Sequence, residues 1–550
     1  MSGSADAAEA ASLSDLAGLS LAADARHAAD AAPTPATTSR ATQEGVSLAA
    51  LRAFAAEHSG RRFDLGGTSL PFEELTTEQV VDAIIRPATL CAGAGGAPGT
   101  YVQLLQGRGA ADACSAPHVA PATLFVSHTW LYRFLDLLAA LEGHAGPPGA
   151  VDAPPPYYWL DVMTCSQHAA SHAAVPPDWW SHTFRDSVAS IGATVLVLQP
   201  WSAPVPLTRA WCLWEVFCSV DTGATLQVAL GPRERAALED ALTHRDDVAS
   251  ALSHIDTRNA IAKFPEDEER IKAVVGASKG GFGGVNSRIH ESLQSWLREA
   301  AAELVERRCA TLGDTHADTL ACTDSYIALL VQQGRPVTAA EVSDRALELR
   351  RAMLGDDHPA TLSAAHYRGM NLFTLQLWDA AEPLLRDTLA RRTRVLGEAH
   401  RDTDTTRKYL GILVHYIGRL EEAEVLLRAA ARGHAASLGV AHPDALASRF
   451  NLGILLRDMA ATEAARAESE ELLQQVLAAR IEVLGRRHPQ TLDACSHVAY
   501  SLKQRGALAE AEALMVESYD GRLETLGQFH FRTVQSAEHL ADLRRQMGAR

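Results

Sequence analysis

An α/β domain with a parallel sheet, followed by an all-α solenoid, is the fold class this sequence predicts. Three observations carry it. Between residues 122 and 230, short apolar runs alternate with amphipathic helical stretches, the order expected of βαβ units. From about residue 305, Leu-Gly-x-x-His recurs with glycines at 313, 355, 397, 439, 485 and 527, in steps of 42, 42, 42, 46 and 42 residues. A fixed period of this length marks a stacked repeat. The chain of 550 residues is 47% hydrophobic, enough for more than one core.

The N-terminal residues, 1–45, are mainly Ala, Ser, Thr and Asp, which predicts a disordered tail. It has no apolar core of a secretory signal, and its acids argue against a transit peptide. A helical lead-in is expected over 46–119. Thr76 and Gln79 fit a capping box before Val80, Val81, Ile84 and Ile85.

The first strand is expected at Ala122–His128 and the second at Tyr157–Val162, with a Pro/Gly linker from Gly143 to Pro156 between them. A helix from Asp178 should present Trp180, Phe184, Val188 and Ile191 on one face. The third strand, Ala193–Leu198, is rich in β-branched residues and stops at Pro200. The next helix should start at Thr208 as N-cap. It carries Trp211, Trp214, Glu215 and Cys218 on one stripe, and a carboxylate among tryptophans must be paired or used. Pairing of Glu215 with an arginine is the bland alternative. A fourth strand follows at Leu226–Leu230, then a helical extension over 233–304. Its Gly280–Gly284 run lacks the lysine and hydroxyl of a phosphate loop and is expected as a turn.

In the repeats, the second helix of each unit repeats one apolar stripe, such as Ala381/Leu384/Leu385 and Ala423/Leu426/Leu427. The first helix carries a small residue at one place, Gly369, Gly411, Gly453, Ala499 and Ala541, where helices must approach closely; Ile327 departs from this. The four extra residues of the 46-residue step are expected in a turn between Ala460 and Ser469. Histidines 316, 358, 400, 442, 488 and 530 occur one per repeat, too far apart to share a metal ion, so they are punctuation and no metal site is predicted. Glycine ends one helix, and proline opens the next at Pro359, Pro443 and Pro489.

A net charge of −17 argues against nucleic acid or an anionic membrane as the main partner. No apolar run approaches the roughly 18–20 residues of a membrane span. Eight scattered cysteines without a CxxC pair fit a reduced, cytoplasmic protein.

Leu354-Gly355-Asp356-Asp357-His358-Pro359-Ala360-Thr361-Leu362 and Gly418-Arg419-Leu420-Glu421-Glu422-Ala423-Glu424 resemble tetratricopeptide (TPR) repeats of the kinesin-light-chain type. The resemblance covers about 305–550, as five repeats and a capping helix. It implies a superhelix whose concave face holds a protein or peptide partner. Phe125-Val126-Ser127-His128 and Thr208-Arg209-Ala210-Trp211-Cys212-Leu213-Trp214-Glu215 resemble the first strand and the Ser-x-Trp-Cys-x-x-Glu helix of the TIR fold. Trp159–Gln167 is also similar to the fungal heterokaryon-incompatibility domain. This second resemblance covers about 120–232 and implies a flavodoxin-like sheet that signals through self-association.

The TIR resemblance also implies an enzymatic alternative. In enzymatic TIR domains the glutamate matching Glu215 cleaves the nicotinamide–ribose bond of NAD⁺, which here would be a substrate, no resident cofactor being required. The leaving pyridinium loses its charge on departure, so one carboxylate could suffice where glycosidases use two. In a 2-1-3-4-5 sheet, ligands bind beyond the strand ends at the switch between strands one and three. That places Ser127, His128, Trp130, Asp161, Trp201 and Trp211 around a nucleotide, with Glu215 as the catalytic carboxylate.

Overall fold

The computed structural model describes residues 43–109, 117–146, 154–168, 185–244, 248, 257–278, 281–459, 463–526 and 531–548. The expected tail lies outside these residues up to position 42, as do Asp178, Trp180, Phe184 and His530 of the expected elements.

One six-stranded mixed sheet organises the first half. Its strands are β1 (Glu44–Ser47), β4 (Val119–Pro121), β5 (Leu124–Ser127), β6 (Tyr157–Trp159), β7 (Ala193–Val197) and β8 (Thr225–Ala229), and a hairpin of β2 (Arg62–Leu65) and β3 (Thr68–Pro71) stands apart. The spatial order is β4-β1-β6-β5-β7-β8. The strands from β5 to β8 are parallel, so their order is 2-1-3-4, with the switch between β5 and β7. The stretch 46–119, expected as a helical lead-in, also supplies β1 and β4, which extend the sheet antiparallel beyond β6. β1 is only four residues long and lacks a clear alternation, so its pairing comes from the partner strands rather than from its own pattern.

Both faces of the sheet are covered. Val126, Val195 and Val197 point into one core with α1 (Leu48–His58), α2 (Tyr101–Arg108) and α3 (Phe134–Ala145). Phe125, Leu196 and Leu198 point into the other, with α4 (Arg185–Ile191) and α5 (Ala210–Thr222). Two-sided burial explains the continuous apolar strands. α5 starts later than expected. Thr208 closes a short turn by donating to the Val205 carbonyl, and Arg209 stands at the N-cap without a side-chain cap.

The extension after β8 welds the halves together. α6 (Pro232–His244) and α7 (Pro265–Ala277) lead to α8 (Gly281–Leu312). The last is 32 residues long, about 48 Å at ~1.5 Å per residue. It runs through residue 304, so the expected boundary there lies inside a helix. Val285, Ile289, Leu293, Leu297, Ala301 and Leu304 of α8 join the core beneath the sheet to Cys322 and Leu329 of the next helix. Near its other end, Asn286 donates to the Glu524 carbonyl at 2.8 Å, close to the end of the solenoid.

Five helix pairs and a last helix follow: α9/α10 (Ala317–Gln332, Pro336–Leu354), α11/α12 (Pro359–Thr374, Trp378–Leu396), α13/α14 (Arg401–Tyr416, Leu420–Leu438), α15/α16 (Pro443–Met459, Glu463–Leu484), α17/α18 (Pro489–Arg505, Leu508–Leu526) and α19 (Phe531–Gly548). The 46-residue step lengthens a helix instead of a turn: α16 has 22 residues where α10, α12, α14 and α18 each have 19. Gly355 and Gly397 end their helices at φ +84° and +98° with extended ψ, a region essentially confined to glycine.

Each histidine of the repeated motif, within the described residues, caps the next helix. Nδ1 of His316, His358, His400, His442 and His488 accepts the N–H two residues on, at 3.2 Å each. The carbonyl two residues beyond the motif histidine is held from the preceding helix by an arginine at five junctions: half-buried Arg308 to Asp318, and buried Arg350 to Ala360, Arg392 to Asp402, Arg480 to Gln490 and Arg522 to Arg532. Sequence reasoning missed this arginine because apolar periodicity does not report buried polar groups. His434 replaces it at the remaining one and bonds Ser448 at 2.7 Å.

The small residues expected at the helix crossings are required there. A Cβ on Gly369 would lie 2.6 Å from Leu385, on Gly411 2.9 Å from Leu427, and on Gly453 2.8 Å from Leu473. In the first unit, Ile327 is matched sixteen residues on by Ser343, where the second unit has Gly369 and Leu385, and both are fully buried. The large and small partners have changed places. Gly369→Ile alone should therefore cost at least the ~1–3 kcal/mol of overpacking in thermal unfolding. Gly369→Ile with Leu385→Ser should recover most of it; a double variant no better than the single one would refute the exchange.

Candidate functional site

Three elements converge at the end of β5. β5 ends at Ser127 and leads into His128, Thr129 and Trp130; a single helical turn after β6 opens with Asp161; α5 brings Cys212 and Glu215 underneath. Ser127 is fully buried, and the His128 side chain is 1% exposed. Trp130 donates its indole N–H to Asp161 Oδ2 at 2.7 Å, and the Val162 N–H donates to Oδ1 at 2.8 Å. His128 Nε2 stands 3.8 Å from Asp161 Oδ1. The Cys212 thiol donates to the His128 carbonyl at 3.1 Å, tying α5 to the end of β5.

Three polar atoms in this cluster are buried without a hydrogen-bond partner: Ser127 Oγ, His128 Nε2 and Glu215 Oε2. Leaving one such atom unpaired costs about 1–3 kcal/mol. Burial, then the neighbouring Asp161 charge, push the Glu215 carboxyl well above its ordinary range, and the Ser127 hydroxyl, which lies near enough to the carboxyl to act on it, opposes them. Among the described residues no arginine forms an ion pair with Glu215, so the expected arginine partner is not found there. Burial also lowers His128, against the pull of Asp161, and raises the Cys212 thiol, which makes Cys212 a poor nucleophile.

The expected residues are thus brought together in part. Ser127, His128, Trp130, Asp161 and Glu215 form one cluster. Trp201 does not line it with a free ring: it is 4% exposed and packs in the core, while its backbone N–H donates to Glu234 of α6 at 2.9 Å. Trp211 is half-buried and packs against the same core. Sequence reasoning missed Tyr132, whose hydroxyl donates to the Gln199 carbonyl and accepts the Gln199 N–H at 2.9 Å. It staples the segment after β5 to the end of β7, and no motif signals it.

A hollow of about 550 Å³ lies along the first helices of the solenoid, away from the Glu215 cluster. Tyr367, Arg392, Lys408, Tyr409 and Asp444 line it, and Leu242, Thr243 and His244 of α6 close one side. Lys408 is nearly buried, 4.9 Å over the Tyr409 ring and 4.0 Å from Asp444. This hollow is large enough for two or three side chains of a bound segment.

The helical pairs match known repeats. Residues 319–390 and 362–434 match one tetratricopeptide-repeat family model, and 446–490 and 491–532 match another. The helical pairs are tetratricopeptide repeats. No curated protein matches the chain. Among solved structures, it is similar to the TPR-like repeats of a putative kinesin light chain from Podosopora anserina, with 23% identity, covering 38% of this chain and 98% of that one, at a TM-score of 0.32. It is also similar to BtubC (BKLC) from P. vanneervenii, with 14% identity, covering 47% and 93%, TM-score 0.32. A tetratricopeptide-sensor STAND protein from Pyrococcus horikoshii shares 11% identity over 70% of this chain and 53% of its own, TM-score 0.35. Tetratricopeptide repeats suggest a scaffold that binds partner proteins. No helix among the described residues is long and apolar enough to cross a membrane.

The repeats also set an acid limit on stability. Burial lowers His366 well below its ordinary value, and lowers His434 and His497 to about 4; Lys408 adds to the first two and Arg457 to the third. These groups are neutral when folded and protonate more readily when unfolded, so their contribution is lost as pH falls from about 6.5 towards 4. Asp324, raised to about 6 by burial against Arg350, works in the opposite direction over about 6 to 4. Asp404, also raised by burial, joins Asp324; three histidines outweigh these two acids, so the melting temperature should fall between about pH 6.5 and 4. His497→Gln should flatten that fall; an unchanged slope would show that His497 does not carry it.

Proposed function

We propose that this chain is a cytoplasmic signalling scaffold in which the tetratricopeptide superhelix, of kinesin-light-chain type, holds a protein or peptide segment on its concave face. A TIR-like domain is the output module and acts by self-association. The observation that carries the partner-binding part is the hollow of about 550 Å³ whose Tyr367, Lys408 and Tyr409 stand on two successive first helices. The shared core through α8 supports coupling between the halves, since displacement of the first repeat is felt beneath the sheet. Capture from extract of the source cells should recover a partner with the full chain. Tyr367→Ala/Tyr409→Ala should reduce recovery at least tenfold; equal recovery would place the partner elsewhere.

A second reading is favoured by the unpaired atoms at the switch point: cleavage of the nicotinamide–ribose bond of NAD⁺. A pyridinium entering beside Glu215 and Asp161 would bring positive charge to two carboxyls and draw Glu215 back towards its ionised form. Ionised Glu215 would hold the ribose hydroxyls and stabilise the oxocarbenium-like transition state, and the Ser127 hydroxyl and His128 Nε2 would gain partners. Bond cleavage leaves neutral nicotinamide and a ribosyl cation, which water captures with loss of a proton. Purified full-length protein, free and forcibly clustered, should release nicotinamide from NAD⁺. Glu215→Ala should lower that release at least a hundredfold. Release that is absent, or equal in both proteins, removes the enzymatic reading and leaves the scaffold.

A further inference from the structure

The free edge of the sheet carries a separate site. β8 is the last strand, paired on one side with β7. In a parallel ladder, alternate residues turn both backbone groups to the same neighbour. The Thr225 N–H donates to Gly192, and the Ala229 carbonyl accepts from Leu198, so Thr225, Gln227 and Ala229 face β7. Leu226 and Val228 therefore turn their N–H and C=O groups outward, and among the described residues no backbone group meets them there. Exposed edges of this kind are normally blunted by charge, proline or a covering element.

The outward side opens on a groove of about 1100 Å³. Leu226 and Val228 form part of its floor, and Trp296 and Leu304 of α8 form an apolar wall. Glu299, Glu303 and Glu306 stand along the same helix, with Glu239 across on α6. Arg307 is engaged with Glu239 at 2.6 Å, and Arg235 is held at the Gly143 carbonyl at 2.9 Å; four glutamates against these two arginines leave the rim net acidic. The lining residues of α8 span 292–307, about 22 Å at ~1.5 Å per residue, the length of six or seven extended residues at ~3.3 Å each.

We infer that this groove takes an extended, cationic segment of a partner protein, added to the sheet as a strand beside β8. The partner's backbone pairs with Leu226 and Val228, its apolar side chains meet Trp296 and Leu304, and its basic side chains meet the glutamates of α8. The chain's own first 42 residues do not fit, since they hold five acids against two arginines. This inference is independent of the Glu215 cluster and of the repeat hollow.

The probe is a synthetic eight-residue peptide alternating lysine and valine, titrated against the full-length protein. Binding should weaken steeply with salt and fall at least tenfold when alternate peptide nitrogens are methylated, or when glutamate replaces lysine. Amide hydrogen exchange should slow at Leu226 and Val228 on binding and stay unchanged at Thr225 and Gln227. Val228→Pro removes only an outward N–H and should abolish binding. Glu299→Lys/Glu303→Lys, on an exposed face, should weaken it tenfold with the fold intact. No binding, equal binding of the methylated or acidic peptide, or indifference to the lysine substitutions would overturn the inference. So would slow exchange at Leu226 and Val228 before peptide is added, which would assign the edge to this chain itself or to a second copy.

Discussion

An apolar surface runs unbroken from beneath the parallel sheet, through α5 and along α8, to Cys322 and Leu329 of the first repeat. The rest of the architecture depends on it. Leu293, Leu297 and Leu304 are almost wholly buried in it, each worth about 1.5–3 kcal/mol on the usual scale for large aliphatic side chains. A solenoid couples only neighbouring units, so its end unit needs something to cover its open face. Here the sheet domain supplies that cover, and α8 carries the contact onward to the far end of the repeats through Asn286 and Glu524. The two halves are consequently one mechanical body, and a force on the repeats has a path to the sheet.

Buried polar groups are handled differently in the two halves. In the repeats, arginines and capping histidines hold the C=O and the N–H of the same residue, and these bonds recur at successive junctions, while unpaired atoms such as Arg392 Nε and Arg480 Nε are scattered. At the end of β5, Ser127, His128 and Glu215 bury polar atoms that find no partner. At that point burial, then the neighbouring Asp161 charge, raise the Glu215 carboxyl well above its ordinary range. A titratable group shifted by burial and one charged neighbour, beside other buried polar groups, is the kind of cluster on which a functional-site hypothesis rests.

Much of this was legible in the chain, for physical reasons that differ by region. Glycine at Gly355 and Gly397 is demanded by a backbone conformation that other residues avoid, so its spacing reports helix ends directly. Gly369 and Gly411 report close helix crossings in the same way. β7 was visible because both of its faces are buried, which makes every residue apolar. β1 was invisible because two partner strands, distant in sequence, create it. Trp201, expected beside the nucleotide, sits in the core: an aromatic side chain suits a core and a stacking platform equally, and only the packing around it tells which. The extra residues near Ala460 went into α16, since helix propagation adds a hydrogen bond for each residue ordered.

By itself, the sequence determined the period of the repeats, the helix punctuation, the four parallel strands and the isolated carboxylate on α5. All of these are local, set by backbone geometry and by which side of one element meets apolar neighbours. Tertiary structure alone decided that β1 and β4 join the sheet and that β8 keeps an open edge. It alone decided that α8 bridges the repeats, and that Asp161 rather than an arginine stands near Glu215. These depend on contacts between residues far apart in the chain, whose free energy appears only when the whole core closes.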